Sequence, residues 1–258
     1  MTSTFNNYAA GVMDLLPQDA RDAVLASGTR MRLKNKQLVQ SRGHRSIGLG
    51  IILKGRIRLM TIGVDGTMHL TAILGPGQQF NEVTLFANAR RTHDAEAVGE
   101  TEILTLTAAE YERLSKQHPV LVEALLISNV QRVHQLVEIL NDLRAQTKLV
   151  ALARVLLKNA WHARGDSQKN SLELDIAQED IAMFLGVTRP YLNQKLGQLC
   201  ALGFIELSYR KIRVVDLARL SSWIQDQLTY DAVEECDYVL IKEEGRALSD
   251  AQRWQSEV

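Results

Sequence analysis

Residues 177–202, AQEDIAMFLGVTRPYLNQKLGQLCAL, carry the most specific pattern in the 258-residue chain. The first part predicts a helix over about 178–185 that ends at Gly186, because glycine takes the positive φ of a tight turn without strain. A second helix is predicted to begin at Thr188, a favourable N-cap residue. Pro190 fits in its first turn, where the backbone amides have no partner inside the helix. The segment therefore predicts two short helices joined by a tight turn.

The spacing of three residues in this segment is typical of a helix-turn-helix. Ala182 is a small residue where the helices cross, Gly186 lies in the turn, and Leu192 packs the second helix onto the first. Leu192, Leu196 and Leu199 then form one buried stripe on the second helix. The side chains predicted to face away from that stripe are Thr188, Arg189, Tyr191, Gln194, Lys195 and Gln198. An ordinary helical hairpin with a solvated polar face is the alternative interpretation.

These outward side chains suit the major groove of DNA. Arginine can donate two hydrogen bonds to guanine and glutamine can pair with adenine, while lysine, tyrosine and threonine can hold phosphates. Two short strands are predicted next, over 203–206 and 210–213, with Arg210 and Lys211 at a basic turn that forms a wing along the DNA backbone. Residues 141–220 carry 12 Lys and Arg against 8 Asp and Glu, a net charge of +4, although the whole chain has 30 of each. The local charge therefore favours double-stranded DNA as a partner.

The chain before this segment has a different period. Residues 29–106 consist of short apolar or alternating runs broken by glycine, which predicts an antiparallel barrel or sandwich. The runs 47–55 and 56–63 are predicted to be separate strands. Residues 63–66 predict a hairpin turn, and 75–77 cannot continue a strand because the central proline lacks the ladder donor.

A long helix is predicted after the strands. Thr107 and Glu110 form a capping box that begins a helical stretch, and residues 120–144 contain neither glycine nor proline. Apolar residues step through that range by 4, 3, 4 and 3, a heptad seam with valine at the a positions, as in parallel pairs of helices. The seam residues are Leu126, Val130, Val133, Val137 and Leu140. The seam predicts a homodimer interface; its burial in the core of one chain is the alternative.

Composition and motif content exclude several classes of protein. The two cysteines, Cys200 and Cys236, are too few for a disulfide scaffold, a four-thiolate zinc site or a cysteine-ligated iron–sulfur cluster within one chain. The sequence has no run of 18 apolar residues and no N-terminal signal pattern, so we expect a cytoplasmic protein that does not enter a membrane. No enzyme is predicted, because a phosphate-binding loop, a nucleophile elbow, paired metal-binding histidines and a dinucleotide fingerprint are all missing.

The order of these parts resembles the CRP/FNR family of bacterial transcription regulators over about residues 12–220. The resembling segments are 48–55, 56–59, 65–66 and 74–77 in the strand region and 185–206 in the helix-turn-helix. The resemblance implies an α+β fold: an N-terminal antiparallel β-roll (jelly-roll-like), a long dimerisation helix and a C-terminal winged helix-turn-helix. The corresponding domains are 1–118 for the sensor β-roll, 119–146 for the dimerisation helix, 147–220 for the DNA-binding domain and 221–258 for an acidic C-terminal extension.

The resemblance also implies a homodimer that binds a pseudo-palindromic operator and acts with RNA polymerase. In that family the arginine that matches Arg189 and the residue that matches Gln194 read bases. Here Pro190 stands where a glutamate is common, and Gln194 stands where an arginine is common. The operator should therefore differ from the family's best-known half-site. A nucleotide-sensing module that acts through a protein partner, without specific DNA binding, is the alternative.

An effector pocket in the β-roll is a further implication of the resemblance. Nucleotide-binding members use a Phe-Gly-Glu-Leu segment followed by Arg-Ser/Thr, in which the glutamate holds the ribose and the arginine pairs with the phosphate. The matching segments here are 80–83 and 91–92. The candidate effector-binding residues are Asn81, Glu82, Arg91 and Thr92.

Two departures leave the effector open. Asn81 replaces the glycine whose bare backbone lets the ligand approach. Leu136 and Val137 stand at helix positions where cAMP-responsive members carry hydroxyl groups. Three interpretations follow: the pocket binds cyclic AMP, it binds a different nucleotide or small anion, or it is closed and Glu82 forms a structural ion pair with Arg91.

The sequence gives little support for an iron–sulfur cluster or a haem as cofactor. The family's oxygen sensor needs an N-terminal cysteine cluster, and residues 1–50 contain no cysteine. A haem sensor needs a metal-binding histidine in the roll, where His69 stands alone and fits an ordinary strand residue. No metal site is predicted, and haem is not expected.

Residues 221–258 are acidic, with 9 Asp and Glu against 3 Lys and Arg. This extension could dock on its own chain, contact a partner or cover the DNA-binding face as an acidic mimic. A solvated, partly ordered tail is the remaining interpretation.

Overall fold

The structure is a computed structural model that describes residues 9–45, 48–87, 89–145, 147–164, 169–209 and 211–227. Its helices are α1 (Val12–Leu15), α2 (Gln18–Ser27), α3 (Glu82–Phe86), α4 (Ala108–Gln117), α5 (Val120–Ala145), α6 (Lys148–Arg164), α7 (Gln178–Leu185), α8 (Arg189–Ala201) and α9 (Leu217–Gln227). Its strands are β1 (Thr29–Leu33), β2 (Leu38–Gln40), β3 (Gly48–Ile62), β4 (Met68–Leu74), β5 (Gln79–Phe80), β6 (Asp94–Thr107), β7 (Leu172–Leu174), β8 (Ile205–Ser208) and β9 (Lys211–Val214).

The N-terminal strands form an antiparallel sheet in the order β1-β6-β3-β4, with β2 paired to β6 and β5 paired to β3. Its inward-facing apolar residues, among them Ile52, Ile57, Phe80 and Ile103, are buried together in the core of the roll. Neighbouring strand residues point to opposite faces, so the alternate residues Leu49, Ile51, Leu104 and Leu106 are buried in a second cluster against the helices. The predicted antiparallel N-terminal domain is confirmed.

The prediction that runs 47–55 and 56–63 are separate strands is wrong. Residues 48–62 form one strand, β3, which stays paired with β6 on both sides of Gly55, with register shifts next to Lys54. Gly55 has a φ of 78°, and a Cβ there would collide with the carbonyl oxygen of Glu100. The glycine therefore permits a bulge inside the strand and does not end it.

Two local predictions in this region are confirmed. Strands β3 and β4 are joined by a hairpin in which the Gly63 N–H donates to the Thr67 carbonyl (2.8 Å). Helix α4 begins with the predicted capping box. The Glu110 N–H donates to Thr107 Oγ1 (3.2 Å), and the Thr107 N–H donates to Glu110 Oε2 (2.7 Å).

Helix α5 presents two different faces. Leu121, Ala124 and Leu125 are buried against α1, α2 and the roll. The heptad residues are exposed instead, by 64% for Leu126, 59% for Val130, 60% for Val133, 54% for Val137 and 48% for Leu140. The alternative that the seam belongs to the core of one chain is therefore wrong.

The C-terminal helices and the antiparallel sheet β7-β9-β8 pack around one core, which also includes Leu70 and Ile73 of β4. Leu217, Leu220 and Ile224 of α9 are buried in that core, and the Trp223 ring lies 5.1 Å from the Phe204 ring. The predicted domain end at residue 220 therefore falls inside a helix, because apolar residues spaced by three and four continue past it. The packed unit reaches Gln227. The remainder of the predicted extension, 228–258, lies outside the described residues.

Candidate nucleic-acid interface and effector pocket

The turn between α7 and α8 has the predicted geometry. Gly186 ends α7 in the left-handed conformation (φ 61°, ψ 43°), and the Val187 N–H donates to the Ala182 carbonyl (3.0 Å). Thr188 precedes α8 with extended backbone, and its carbonyl accepts the Leu192 N–H (2.9 Å). The turn conformation, which few residues other than glycine adopt, sets the angle at which α8 leaves α7.

Helix α8 separates a buried face from an exposed face as predicted. Leu192, Leu196 and Leu199 are buried in the C-terminal core. The predicted outward residues that are exposed are Thr188, Arg189, Tyr191, Gln194 and Gln198. Asn193, which was not among the predicted residues, is exposed as well. Because asparagine pairs with adenine as glutamine does, the sequence could have predicted Asn193 as a further base-contacting residue.

Lys195 differs from the other residues of this set because it is only half-buried. Its Nζ donates to Gln198 Oε1 (3.1 Å) and lies 5.2 Å from the centre of the Tyr191 ring. The ammonium is therefore held over the surface of α8 by its own helix. It remains a cation next to Arg189, but a contact with a phosphate would compete with these two interactions.

The wing is less basic than predicted. Strands β8 and β9 form the expected hairpin, but Lys211 forms an ion pair with Glu173 of β7, and Arg213 Nη1 lies 3.2 Å from Glu206 Oε2. The hydrogen bond to Glu173 raises the pKa of Lys211. Lys211, a predicted DNA contact, is therefore paired in the free protein, since β7 brings a carboxylate to it from a distant part of the sequence. Arg210 lies outside the described residues.

A cavity of about 240 Å³ lies between the roll and α5. Its apolar wall is formed by Leu59, Ala72, Leu74, Phe80, Val133, Leu136 and Ile139. Its polar residues include Gln40, Asn81, Glu82, Arg91, Thr92, His93 and Arg132. The structure therefore brings together the four residues that the resemblance implied: Asn81, Glu82, Arg91 and Thr92.

The carboxylate in this cavity is paired with a residue that the sequence analysis missed. Arg132 of α5 donates from Nη1 to Glu82 Oε1 (2.6 Å) and from Nη2 to the carbonyl of Gln79 (2.6 Å). The proposed structural pair of Glu82 with Arg91 is therefore wrong. Arg132 was not predicted because the heptad pattern concerns only the apolar residues of α5. No local sequence pattern links Arg132 to Glu82.

Arg91 stands in the cavity wall without a carboxylate partner among the described residues. Its Nε is buried and makes no hydrogen bond to the part of the chain that the structure describes, and the same holds for Arg132 Nε. Burial lowers the pKa of Arg91. A buried N–H donor without an acceptor costs free energy, and an anion that accepts from Arg91 Nε in the cavity would offset that cost.

Other side chains shape the same cavity. Asn81 has a φ of 77°, in the left-handed region, and its Nδ2 donates to Gln40 Oε1 (2.6 Å), so its side chain fills space that a glycine would leave open. Burial, followed by the charge of Arg42, lowers the pKa of His93. On α5, Leu136 lines the cavity, whereas Val137 belongs to the exposed seam.

Comparison with known proteins agrees with both halves of this geometry. The family model for the cyclic nucleotide-binding domain matches residues 30–118, and the model for the Crp-like helix-turn-helix domain matches residues 150–223. The two matches together cover more than half of the chain. The chain belongs to the CRP/FNR family. As a member of this family it is a DNA-binding regulator of transcription.

Similar proteins span most of the chain. The CRP-like cAMP-activated global transcriptional regulator of Mycobacterium tuberculosis is 26% identical over 67% of this chain and 78% of its own length. The cyclic AMP receptor protein of Thermus thermophilus is 26% identical over 67% of this chain and 77% of its own length. The structure of a CooA mutant from Carboxydothermus hydrogenoformans has a TM-score of 0.70 at 19% identity, covering 83% of this chain and 100% of that one. This last likeness concerns the fold.

The described residues contain neither a metal-binding cluster nor a membrane-spanning helix. Among them, no three His, Cys, Asp or Glu side chains lie close enough together to hold a metal ion. Within the same ranges, no helix combines the length and the apolar composition needed to cross a membrane.

Proposed function

We propose that this CRP/FNR regulator acts as a homodimer on a pseudo-palindromic operator, with one α8 in the major groove of each half-site. The exposed face of α8 carries the proposal: Arg189 is exposed and makes no hydrogen bond or ion pair with another described residue. The exposed seam of α5 supplies the dimer contact. Two recognition helices about 34 Å apart would meet successive turns of one face of the duplex.

The roles of the individual residues follow from their chemistry. Arg189 and Gln194 read base edges, since both can form two hydrogen bonds to one base. Thr188, Tyr191, Lys195 and Gln198 contact phosphates and fix the register. The wing contributes through Arg210 and, after exchange of its ion pair with Glu173 for a phosphate, through Lys211. The DNA-binding domain in this proposal extends from 147 to at least 227, after the roll (1–118) and the dimerisation helix (119–146).

Selection from a random pool of duplexes, followed by gel-shift titration at raised salt, tests this function. We expect the protein to enrich an inverted repeat and to bind it at salt concentrations that remove nonspecific complexes. Binding that is sensitive to salt and indifferent to sequence would contradict the proposal. That result would favour a nucleotide-sensing module that acts through a protein partner.

We also propose that the cavity binds a small anionic effector through Arg91. The wall on α5 is apolar at Val133, Leu136 and Ile139, and Arg132 already holds the carboxylate of Glu82. These features favour an anion with an apolar body over cyclic AMP, which requires polar groups at the base and a free carboxylate at the ribose.

Isothermal titration calorimetry with cyclic mononucleotides, cyclic dinucleotides and small aromatic carboxylates tests the effector site. Arg91→Gln should abolish the binding of any compound that the wild type binds. Arg90→Gln is the matched control, because Arg90 is exposed on the same loop and, among the described residues, its side chain donates to the carbonyl of Gly43 alone. No heat with any of these compounds, or equal loss in both variants, would contradict the site.

The remaining partners follow from this role. A regulator bound beside a promoter meets RNA polymerase, and it acts in the cytoplasm, where bacterial DNA lies. The proposed regulator has no catalytic activity, and turnover of a nucleotide by the purified protein would contradict this.

A further inference from the structure

The strand pair β3–β4 separates the effector cavity from the helix-turn-helix. Leu59 and Ala72 are opposite each other in the register and line the cavity. Arg58 is opposite Ile73 on the other face, and a register shift after Leu59 brings Leu70 to that face as well. Leu70 and Ile73 are buried in the same core as α7. One layer of sheet therefore contacts the cavity on one side and the DNA-binding region on the other.

Arg58 joins the two regions through charge. Its Nη1 donates to Glu96 Oε1 on the neighbouring strand β6 (2.9 Å), and its Nη2 donates to Asp180 Oδ1 in the first turn of α7 (2.5 Å). The side chains of Arg58, Glu96 and Asp180 are only 13%, 19% and 6% exposed. A second bridge, from Arg56 to Asp175, is longer (3.7 Å), and the Asp175 side chain is 76% exposed.

Removing one partner of this buried pair is costly, because the charge that remains is still surrounded by protein and has lost its counter-ion. Glu96 holds Arg58 from behind, so the guanidinium is already oriented towards α7. Recognition helix α8 stays exposed in this arrangement, so the contact does not cover the residues that face DNA. The contact fixes where α7, and with it α8, stands relative to the roll.

We propose that Arg58 and Asp180 form an inter-domain latch that sets the separation of the two recognition helices in the dimer, and thereby the spacing of the half-sites that the protein accepts. The proposal rests on the proposed dimeric DNA-binding function. A fixed placement of the two helices lowers the entropic cost of binding to an operator with the correct half-site spacing. It weakens binding to operators with other spacings. Loss of the latch leaves each helix-turn-helix intact but lets its position vary.

The test uses the full chain and three variants: Arg58→Gln, Asp180→Asn and the control Arg56→Gln, which removes the exposed bridge from the same strand. The probes are the inverted repeat that the wild type selects, the same repeat with its spacer changed by one or two base pairs, and a single half-site. The wild type and the control should lose about tenfold or more in affinity when the spacing changes. Both latch variants should bind the half-site as the wild type does, lose about tenfold on the selected spacing, and discriminate little between spacings.

Two results would overturn the latch. One is wild-type spacing selectivity in both latch variants, and the other is an equal loss on every probe, half-site included, which would indicate a smaller folded fraction. Hydrogen exchange without DNA gives a separate readout, in which amides of α7 and β4 should exchange faster in the latch variants than in the control. If the wild type selects no inverted repeat, the proposed function fails, and unchanged exchange in the latch variants would then refute the latch itself.

Discussion

Arg189 and Lys195 stand on the same helix but should contribute to DNA binding in different ways. Arg189 is exposed and unpaired among the described residues, whereas Lys195 is held by Gln198 and by the ring of Tyr191. Arg189→Ala should cost about 1–3 kcal/mol and relax the base preference at one operator position. Lys195→Ala should weaken binding to all sequences alike. Fluorescence anisotropy on selected, singly substituted and scrambled duplexes measures both effects, and an equal loss on selected and scrambled DNA for Arg189→Ala would refute its role.

His93 should make effector binding depend on pH. Burial lowers its pKa from an ordinary value of 6.5, so the ring is neutral at pH 7 in the free protein. An anion bound beside it favours the charged form, which makes the pKa of the bound state higher than that of the free state. Binding therefore takes up a proton, and affinity should rise as the pH falls from 8 towards 5.5. Calorimetry across this range should show the trend in the wild type and a flat profile in His93→Gln; the same slope in both would exclude His93.

The exposed seam of α5 should hold the dimer together. Val133 lies in the middle of the seam and is 60% exposed in the single chain. Val133→Glu places a charge in an interface that apolar contacts stabilise, so we expect it to be monomeric at concentrations where the wild type is dimeric. Val64→Glu is the matched control, because Val64 is fully exposed at the tip of the β3–β4 hairpin. Sedimentation equilibrium distinguishes the two, and an unchanged mass for Val133→Glu would place the interface elsewhere.

The start of α4 predicts a pH-dependent contribution to stability. Hydrogen bonds from the backbone and side chain of Thr107 lower the pKa of Glu110. The folded chain thus releases this proton more readily than the unfolded chain, so the contribution is present above the ordinary pKa and is lost as the pH falls through the folded value. Thr107→Ala should lower the free energy of unfolding by about 0.5–2 kcal/mol. Glu110→Gln keeps the hydrogen bonds but should flatten the acid side of the stability profile, as urea unfolding at several pH values would measure. If Glu110→Gln has the same stability profile as the wild type, this carboxylate does not contribute to the pH dependence of the free energy of unfolding.

Features that depend on neighbouring residues could be predicted from the sequence, whereas features that depend on contacts between strands could not. The turn at Gly186 and the capping box at Thr107 depend on residues a few positions apart, so the sequence alone was enough to place them. The bulge at Gly55 was mistaken for a strand end, because only the collision with a carbonyl on β6 reveals why glycine is needed there.

Two pairings at the candidate sites join distant parts of the chain. Arg132 lies 50 residues from Glu82, and Lys211 lies 38 residues from Glu173. No periodicity or spacing rule links such pairs, since the fold alone brings them together. The family resemblance predicted four residues of the cavity, but it did not predict that Arg132 forms an ion pair with Glu82.

In the whole molecule, one sheet layer lies between the cavity and the DNA-binding domain. The cavity contacts Leu59 and Ala72 on one face of β3–β4, and α7 contacts Arg58 and Ile73 through the other. An effector could change the placement of the DNA-binding domain only to the extent that it binds one placement more tightly than another. The short path through this layer makes such a difference in affinity physically reasonable.

The central measurement is the number of protein chains bound to one inverted-repeat duplex, together with the preference for that duplex over a scrambled one. Sedimentation of the complex at physiological salt should give two chains per duplex. The same duplex should be bound at least about 10³-fold more tightly than scrambled DNA. One chain per duplex, or equal affinity for the two DNAs, would contradict a dimer that reads two half-sites through α8.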